Sequence, residues 1–354
     1  MIVMKSRTIR IFRTQKGGAL IIMALILLLA GTAVMFSVLD ATSVKIERDK
    51  KTAAALAEAK AALIGWSAGH ATMPGALPCP DTSNFGSSGA CTATAGIIGR
   101  LPWKTLGLND LRDGNGECLW YALSPLYRDT ISVSSRGGLN SINSSISGTI
   151  TVKGADGVSL PPPINPVIAV IFASGVPLIG QDRSSASSTV CGGNTSTSNY
   201  LDVTQGINNS TGNVSGSNYT FIAGAASDTF NDRLVYITAG EFYKAVKKRM
   251  VKEVLGNVTI HAGPVKVYDI NTIYPCPALT PTGSSDCSLT SGFVNNSGMV
   301  LQYANLGSWL ANNGWFALAN YTYSNSTHVK ITLADAFGSY SCDAVSNVFT
   351  CTSP

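Results

Sequence analysis

The longest pattern in the sequence is an apolar run over residues 19–39 that contains no charged side chain. As an α-helix this run would be about 31 Å long, which matches the hydrocarbon core of a bilayer. Because the run is apolar on every side, it predicts a membrane-spanning helix rather than a helix on a globular surface. The predicted anchor residues are Ala19, Leu20, Ile21, Ile22 and Met23 at its start and Leu39 at its end.

The helical pattern continues beyond residue 39 but becomes amphipathic. Residues 40–68 contain no proline. Leu56, Ala59 and Leu63 recur at three- and four-residue steps, which is typical of a helix with one buried face. Gly69 is a suitable stop signal. The pattern therefore predicts one long helix over residues 18–69, with a transmembrane first part and a second part that packs against the rest of the chain.

Further along the chain, apolar positions occur in short runs between long loops rich in Ser, Gly and Asn. Residues 167–172, 234–237 and 329–333 are predicted strands. A second helix is predicted over residues 240–255, where a capping box precedes an apolar stripe. Its cations are interpreted as a solvated face, with contact to an acidic lipid or partner as the alternative. These cations are Lys244, Lys247, Lys248, Arg249 and Lys252.

Two stretches of the chain repeat the same order of features. Each has a helix, a Pro-Cys-Pro turn, a second cysteine and a Trp-aromatic-Ala-Leu segment, at closely matching spacings. This order predicts two related modules, over residues 70–237 and 238–354. The corresponding residues are Cys79 and Cys276, Cys91 and Cys287, and Trp120 and Trp315.

All eight cysteines follow the apolar run. An even number in an exported chain favours disulfides, and the absence of a CxxC motif argues against a zinc site. The module comparison predicts equivalent local bridges, proximity predicts a third, and the remaining two cysteines form the last. The expected pairs are Cys79–Cys91, Cys276–Cys287, Cys342–Cys351 and Cys118–Cys191.

The net charge of +5 lies entirely ahead of the apolar run. Five cations and no acid precede Asp40, so the rest of the chain has 20 basic and 20 acidic residues. A neutral surface lacks the cationic excess that nucleic acids require, and we expect no nucleic-acid partner. The positive flank predicts an N-terminus in the cytoplasm and export of the C-terminal bulk. The five cations are Lys5, Arg7, Arg10, Arg13 and Lys16.

The sequence contains none of the familiar catalytic arrangements, and we expect the protein not to be an enzyme. One cluster of oxygen ligands between glycines is typical of a Ca²⁺ loop, although its register departs from the EF-hand. The alternative is a tight Asp-Gly/Asn-Gly turn. No other cofactor is expected. The candidate ligands are Asp110, Asp113, Asn115 and Glu117.

The segment Gln15-Lys16-Gly17-Gly18 followed by the apolar run resembles the cleavage region of type IV pilin-like precursors. It is most similar to that of minor pilins and of minor pseudopilins of type II secretion. The resemblance implies a basic leader over residues 1–17, cleaved by a prepilin peptidase after Gly17, with Gly18 as the alternative. It implies an α+β fold in which a long N-terminal transmembrane helix continues into a disulfide-containing pilin-like head, here with two related modules.

The resemblance also implies a location and partners. We expect a single-pass inner-membrane protein with a periplasmic head, which would contact other pilin or pseudopilin subunits through its N-terminal helix. Most family members have Glu at the fifth mature position, where this chain has Ile22 or Met23. That departure favours a tip or initiating subunit, or a protein that never enters a filament, over a major filament subunit. The alternative is that Ile22 is one more lipid-facing residue of the predicted anchor. The alternatives are an adhesive or ligand-binding surface protein on a pilin-like anchor, and a plain membrane-anchored periplasmic protein.

Overall fold

The computed structural model divides the chain into two units, Met1–Lys50 and Lys51–Pro354. The part of the chain that the model describes contains three α-helices and thirteen strands. The described residues are 18–71, 73–92, 94–130, 142–162, 165–184, 190–255, 274, 276–280, 286, 288–293, 313–346 and 348–352.

A single helix, α1, spans Gly18–Gly69 and contains 52 residues. Its side chains from residue 42 to residue 51 are exposed or half-buried, whereas Leu56, Ala59 and Leu63 are buried. These three residues lie on one face of the helix because they are three and four positions apart. The amphipathic pattern of the sequence thus corresponds to packing of this part of α1 within the second unit.

The predicted transmembrane helix is wrong. Among the described residues, no helix has both the length and the apolar character needed to cross a membrane. The expected single-pass inner-membrane location, with a cytoplasmic N-terminus and a periplasmic head, is overturned by the same finding.

The first sheet has six strands in the order β1-β2-β4-β3-β7, with β8 paired to β4. Strand β4 is buried at all seven positions, which explains its continuous apolar sequence. A separate two-stranded hairpin is formed by β5 and β6. The strands are β1 (Ile98–Arg100), β2 (Trp120–Leu123), β3 (Ile150–Gly154), β4 (Val167–Ala173), β5 (Val203–Thr204), β6 (Ile207–Asn208), β7 (Tyr219–Ala223) and β8 (Arg233–Thr238).

The second sheet is a five-stranded antiparallel meander, in the order β13-β12-β11-β10-β9. Helix α2 packs on β11 and β12, where Ile331, Leu333 and Tyr340 are buried. One continuous apolar core includes residues of both sheets and of α2. The elements are α2 (Ala239–Leu255), β9 (Ser291–Gly292), α3 (Trp315–Leu318), β10 (Ala319–Asn325), β11 (His328–Asp335), β12 (Gly338–Val345) and β13 (Val348–Thr352).

The fold class is therefore corrected. Beyond α1, the described chain is mainly β-sheet, with α2 and the one-turn helix α3 as its only α-helices. The expected α+β fold on a transmembrane helix is not what forms. Alternation in β11 and β12 buries every second residue on the face where α2 packs, and this places more of the chain in strands than the sequence patterns predicted.

The cations of α2 form a solvated face only in part, because Lys244 and Lys248 are exposed. Lys247 is buried and its Nζ contacts Asp335 Oδ1 at 2.6 Å and the Gly338 carbonyl at 2.8 Å. Arg249 donates to the carbonyls of Ala68 and His70, at 2.6 and 2.7 Å, where α1 ends. A helix C-terminus leaves carbonyls unsatisfied, so a guanidinium there is favourable. At least two of the cations therefore have structural roles.

The two Pro-Cys-Pro turns share a local backbone arrangement. The same three backbone connections recur around each turn. In the first module they are Leu77 N–H to Tyr127 O at 2.6 Å, Gly89 N–H to Pro80 O at 3.1 Å, and the reciprocal pair Asp81 and Arg100 at 2.8 Å. In the second they are Tyr274 N–H to Ser326 O at 2.6 Å, Asp286 N–H to Pro277 O at 2.7 Å, and the reciprocal pair Ala278 and Phe293 at 2.9 and 2.8 Å.

The correspondence of the two Trp segments does not hold. The first segment is strand β2, at Trp120–Leu123, and the second is helix α3, at Trp315–Leu318. Strand β10, which directly follows α3, pairs with β9 as β2 pairs with β1. The Trp-aromatic-Ala-Leu segment of the second module therefore lies directly before β10, the strand whose pairing corresponds to that of β2.

Candidate functional site

The first candidate site is the N-terminal part of α1. Gly18 is the first residue of the helix, and Gly17 lies outside the described residues. The backbone of Ala19, Leu20 and Ile21 is helical, as is that of Ile22 and Leu39, but their side chains lie outside the described set. The large apolar side chains that follow are between 59% and 70% exposed. They are Met23, Leu25, Ile26, Leu27 and Leu28.

Residues 23–28 cover more than one complete turn of the helix, because a turn takes about 3.6 residues. The apolar surface therefore surrounds the helix instead of lying along one face. Exposed apolar patches on soluble proteins usually mark sites of association. This part of α1 is the largest such surface made of consecutive residues in the described chain.

Three of the expected disulfides are present. They join Cys79 to Cys91, Cys118 to Cys191 and Cys342 to Cys351, with Cα–Cα distances of 5.7, 5.7 and 4.0 Å. Cys276 is also disulfide-bonded, while its predicted partner, Cys287, lies outside the described residues. Two of the bridges join loops, and the third joins β12 to β13, so covalent bonds supplement the apolar core.

The predicted calcium loop is organised around Asp113. Its Oδ1 accepts the N–H groups of Asn115 and Glu117 at 2.8 and 3.0 Å, and the Asp113 N–H donates to the Glu117 carbonyl. Burial raises the pKa of the Asp113 carboxyl, while the loop N–H groups oppose that shift. Thr52 of α1 accepts the Gly114 N–H at 2.9 Å. The Asp113 side chain therefore closes a tight turn and ties it to α1.

The other two carboxylates of the loop have arginine partners. Asp110 pairs with Arg112 at 2.7 Å, and Arg112 also donates to the carbonyls of Gly116 and Val190. Glu117 pairs with Arg183 at 3.3 Å. Calcium binding would compete with Arg112 for Asp110 and with Arg183 for Glu117, so we prefer the tight-turn interpretation.

Sequence reasoning missed a stack of aromatic rings and guanidinium groups. The Arg100 guanidinium is 4.2 Å from the Trp120 ring centre and 4.1 Å from that of Tyr200, and Arg183 lies over the same Tyr200 ring. Burial lowers the pKa of the Arg100 guanidinium to about 10. Its Nη1 donates to the Cys118 carbonyl at 2.8 Å. In the sequence, the sign of this stack was Arg100, an arginine at the end of a short apolar segment.

Sequence reasoning also missed a pair of buried carboxylates. The Asp202 N–H donates to Asp232 Oδ2 at 2.8 Å, and the Asp232 N–H donates to Asp202 Oδ2 at 3.2 Å. Both side chains are almost fully buried. The two residues are 30 positions apart in polar loops that resemble ordinary surface segments, so the sequence alone gives no sign of their contact.

No family model, no curated protein and no solved structure matches this chain. Function is therefore argued from the geometry. The chain combines a 52-residue helix with an exposed apolar segment and a disulfide-linked unit that is mainly β-sheet.

Proposed function

We propose that the protein is a structural subunit of a pilin-like filament and that subunits associate through the apolar part of α1. The observation that carries the proposal is the exposure of Met23–Leu28 on every side of a long helix. Burying a large aliphatic side chain stabilises an assembly by about 1.5–3 kcal/mol. Several such side chains on each subunit supply a strong drive to pack helices together.

The length of α1 favours contact with several neighbours. Its 52 residues extend over about 78 Å, whereas packed helices lie only about 8–10 Å apart. Staggered helices can therefore bury apolar segments of successive subunits in one bundle.

The proposal includes processing of the leader. A prepilin peptidase would cut after Gly17 and leave Gly18 as an N-methylated first residue. Intact-mass measurement of the protein recovered from its own cells tests this step. A terminus at Met1, or at a site inside the apolar run, would contradict the pilin-like assignment.

The assembly step is tested by placing a charge at either of two exposed sites on α1. In the full chain, Leu27→Glu introduces a carboxylate that must be buried on assembly, which is costly without a partner. Lys45→Glu introduces the same side chain at an exposed polar position. We expect Leu27→Glu to reduce the subunit in sheared filaments at least tenfold and Lys45→Glu to change it less than twofold. Equal recovery of both variants, or absence of the wild-type chain from filaments, would refute the proposal.

A second candidate function is ligand binding by the β-rich unit, and one observation favours it. The outward face of the second sheet aligns short polar side chains in register across four strands. One such row is Asn320, Thr332, Ser341 and Thr352, and it presents hydroxyl and amide groups to solvent. The double variant Thr332→Lys/Ser341→Lys would abolish adhesion to a polysaccharide-coated surface while leaving filament incorporation intact. Unchanged adhesion would leave only the assembly role.

A further inference from the structure

The Asp202–Asp232 pair joins two segments that are distant in the sequence. Asp202 directly precedes the β5–β6 hairpin, and Asp232 directly precedes β8. Each carboxylate accepts a backbone N–H from the other residue, and Asp202 Oδ2 also accepts the Asn231 N–H at 2.7 Å. Asn209 donates to Asp232 Oδ2 at 3.0 Å and exchanges two hydrogen bonds with the backbone of Ile222 in β7.

The surroundings leave Asp232 poorly compensated as an anion. Asp232 Oδ1 is buried and has no hydrogen-bond partner among the described residues. Asp202 is better satisfied, because its Oδ1 accepts the Gln181 side chain at 2.8 Å. The charged groups that act on Asp232 are Asp202, which repels it, and Arg183, which attracts it. Arg183 is itself engaged by Glu117 and by the carbonyls of Gly175 and Asn199.

We propose that the Asp202–Asp232 pair is a pH-sensitive contact that holds the β5–β6 hairpin to the start of β8. It is closed when Asp232 holds a proton and is loosened when both carboxylates are charged. Two charged carboxylates in a buried site repel each other, and one of them would lack hydrogen bonds at one oxygen. A proton on Asp232 removes the repulsion and keeps the bonds that its Oδ2 accepts.

The direction of the pH effect follows from the proton balance. Burial, followed by repulsion from Asp202, raises the pKa of Asp232 to about 7, from about 3.8 in an open chain. The closed form therefore binds more protons than the open form between these two values. The proton on Asp232 makes its full contribution to the stability of the closed form below about pH 4. This contribution falls as the pH rises toward 7, and the stability no longer changes with pH above that value.

Amide hydrogen exchange on the full chain tests the proposal. The informative amides are those of Asp202, Asn231 and Asp232, which donate to the pair. After correction for intrinsic exchange, we expect their opening constant to rise by up to about tenfold per pH unit between pH 4 and 7 and then to level off. The amide of Ile331 in the second sheet serves as an internal reference for global unfolding.

The matched variants are Asp232→Asn and Asp228→Asn. Asn at 232 keeps an oxygen acceptor but cannot titrate, so the pH slope should disappear. Asp228 is an exposed acid in the same loop, and its replacement should leave the slope unchanged. A slope that persists in Asp232→Asn, or a flat profile in the wild-type chain, would overturn the proposal.

A further variant covers the case in which Asp232→Asn does not fold. Asp202→Asn removes the repelling charge and retains an acceptor for the backbone N–H groups. The opening constant should then level off at a lower pH, because Asp232 ionises more easily. An unchanged plateau would show that the two carboxylates are not coupled.

Discussion

At the scale of single residues, the buried ion pair between Lys247 and Asp335 gives the first prediction. Breaking a buried pair by removing one partner costs about 3–5 kcal/mol, because the other charge stays buried. Lys247→Met should therefore lower the free energy of unfolding by about that amount in chemical denaturation. Lys248→Met, at an exposed neighbouring position, should change it by no more than about 0.5 kcal/mol. Equal effects of the two variants would contradict the structural role of Lys247.

The acidic loop gives a second prediction for single residues. Asp113 Oδ1 accepts two backbone N–H groups, so Asp113→Ala should destabilise the protein by about 1–3 kcal/mol. Because Asp110 and Glu117 already have arginine partners, we expect millimolar Ca²⁺ to leave the melting temperature unchanged. Melting curves of the wild type and the variant in Ca²⁺ and in EDTA separate the two interpretations. A Ca²⁺-dependent rise that Asp113→Ala removes would establish a metal site instead.

At the scale of elements, Arg249 joins the end of α1 to α2. Its two bonds to terminal carbonyls involve a charged donor, and such bonds contribute about 1.5–3 kcal/mol each. Arg249→Ala should lower the melting temperature by several degrees, and Arg249→Lys should restore only part of the loss, because an ammonium lacks the planar fork. Complete rescue by lysine would indicate that charge alone matters at this position.

The elements also show what the sequence could predict. The three- and four-residue spacing of Leu56, Ala59 and Leu63 predicted their common buried face, because that period is a local property. The two Trp segments have nearly the same letters, yet one is a strand and the other a helix, because pairing partners far along the chain decide the outcome. Local patterns therefore predicted buried faces better than they predicted strand pairing.

At the scale of the whole molecule, bridges between nearby cysteines were predictable and buried polar contacts were not. Cys79–Cys91 followed from the comparison of the two modules and Cys342–Cys351 from proximity, and Cys118–Cys191 followed only after these were assigned. Asp202 precedes β5 and Asp232 precedes β8, and Arg100 and Tyr200 are likewise far apart in the sequence. Such contacts depend on the complete topology, so no local signal in the sequence could have identified them.

The Cys342–Cys351 bridge has a mechanical consequence. These two residues lie directly opposite each other in β12 and β13, one residue before β13 ends at Thr352. Traction on the C-terminus would otherwise peel β13 away one residue pair at a time. The bridge passes the load to β12 and shields the eight residues between the cysteines, about 28 Å of extended chain, from stretching. Under tension β12 and β13 therefore stay paired until the bridge is reduced.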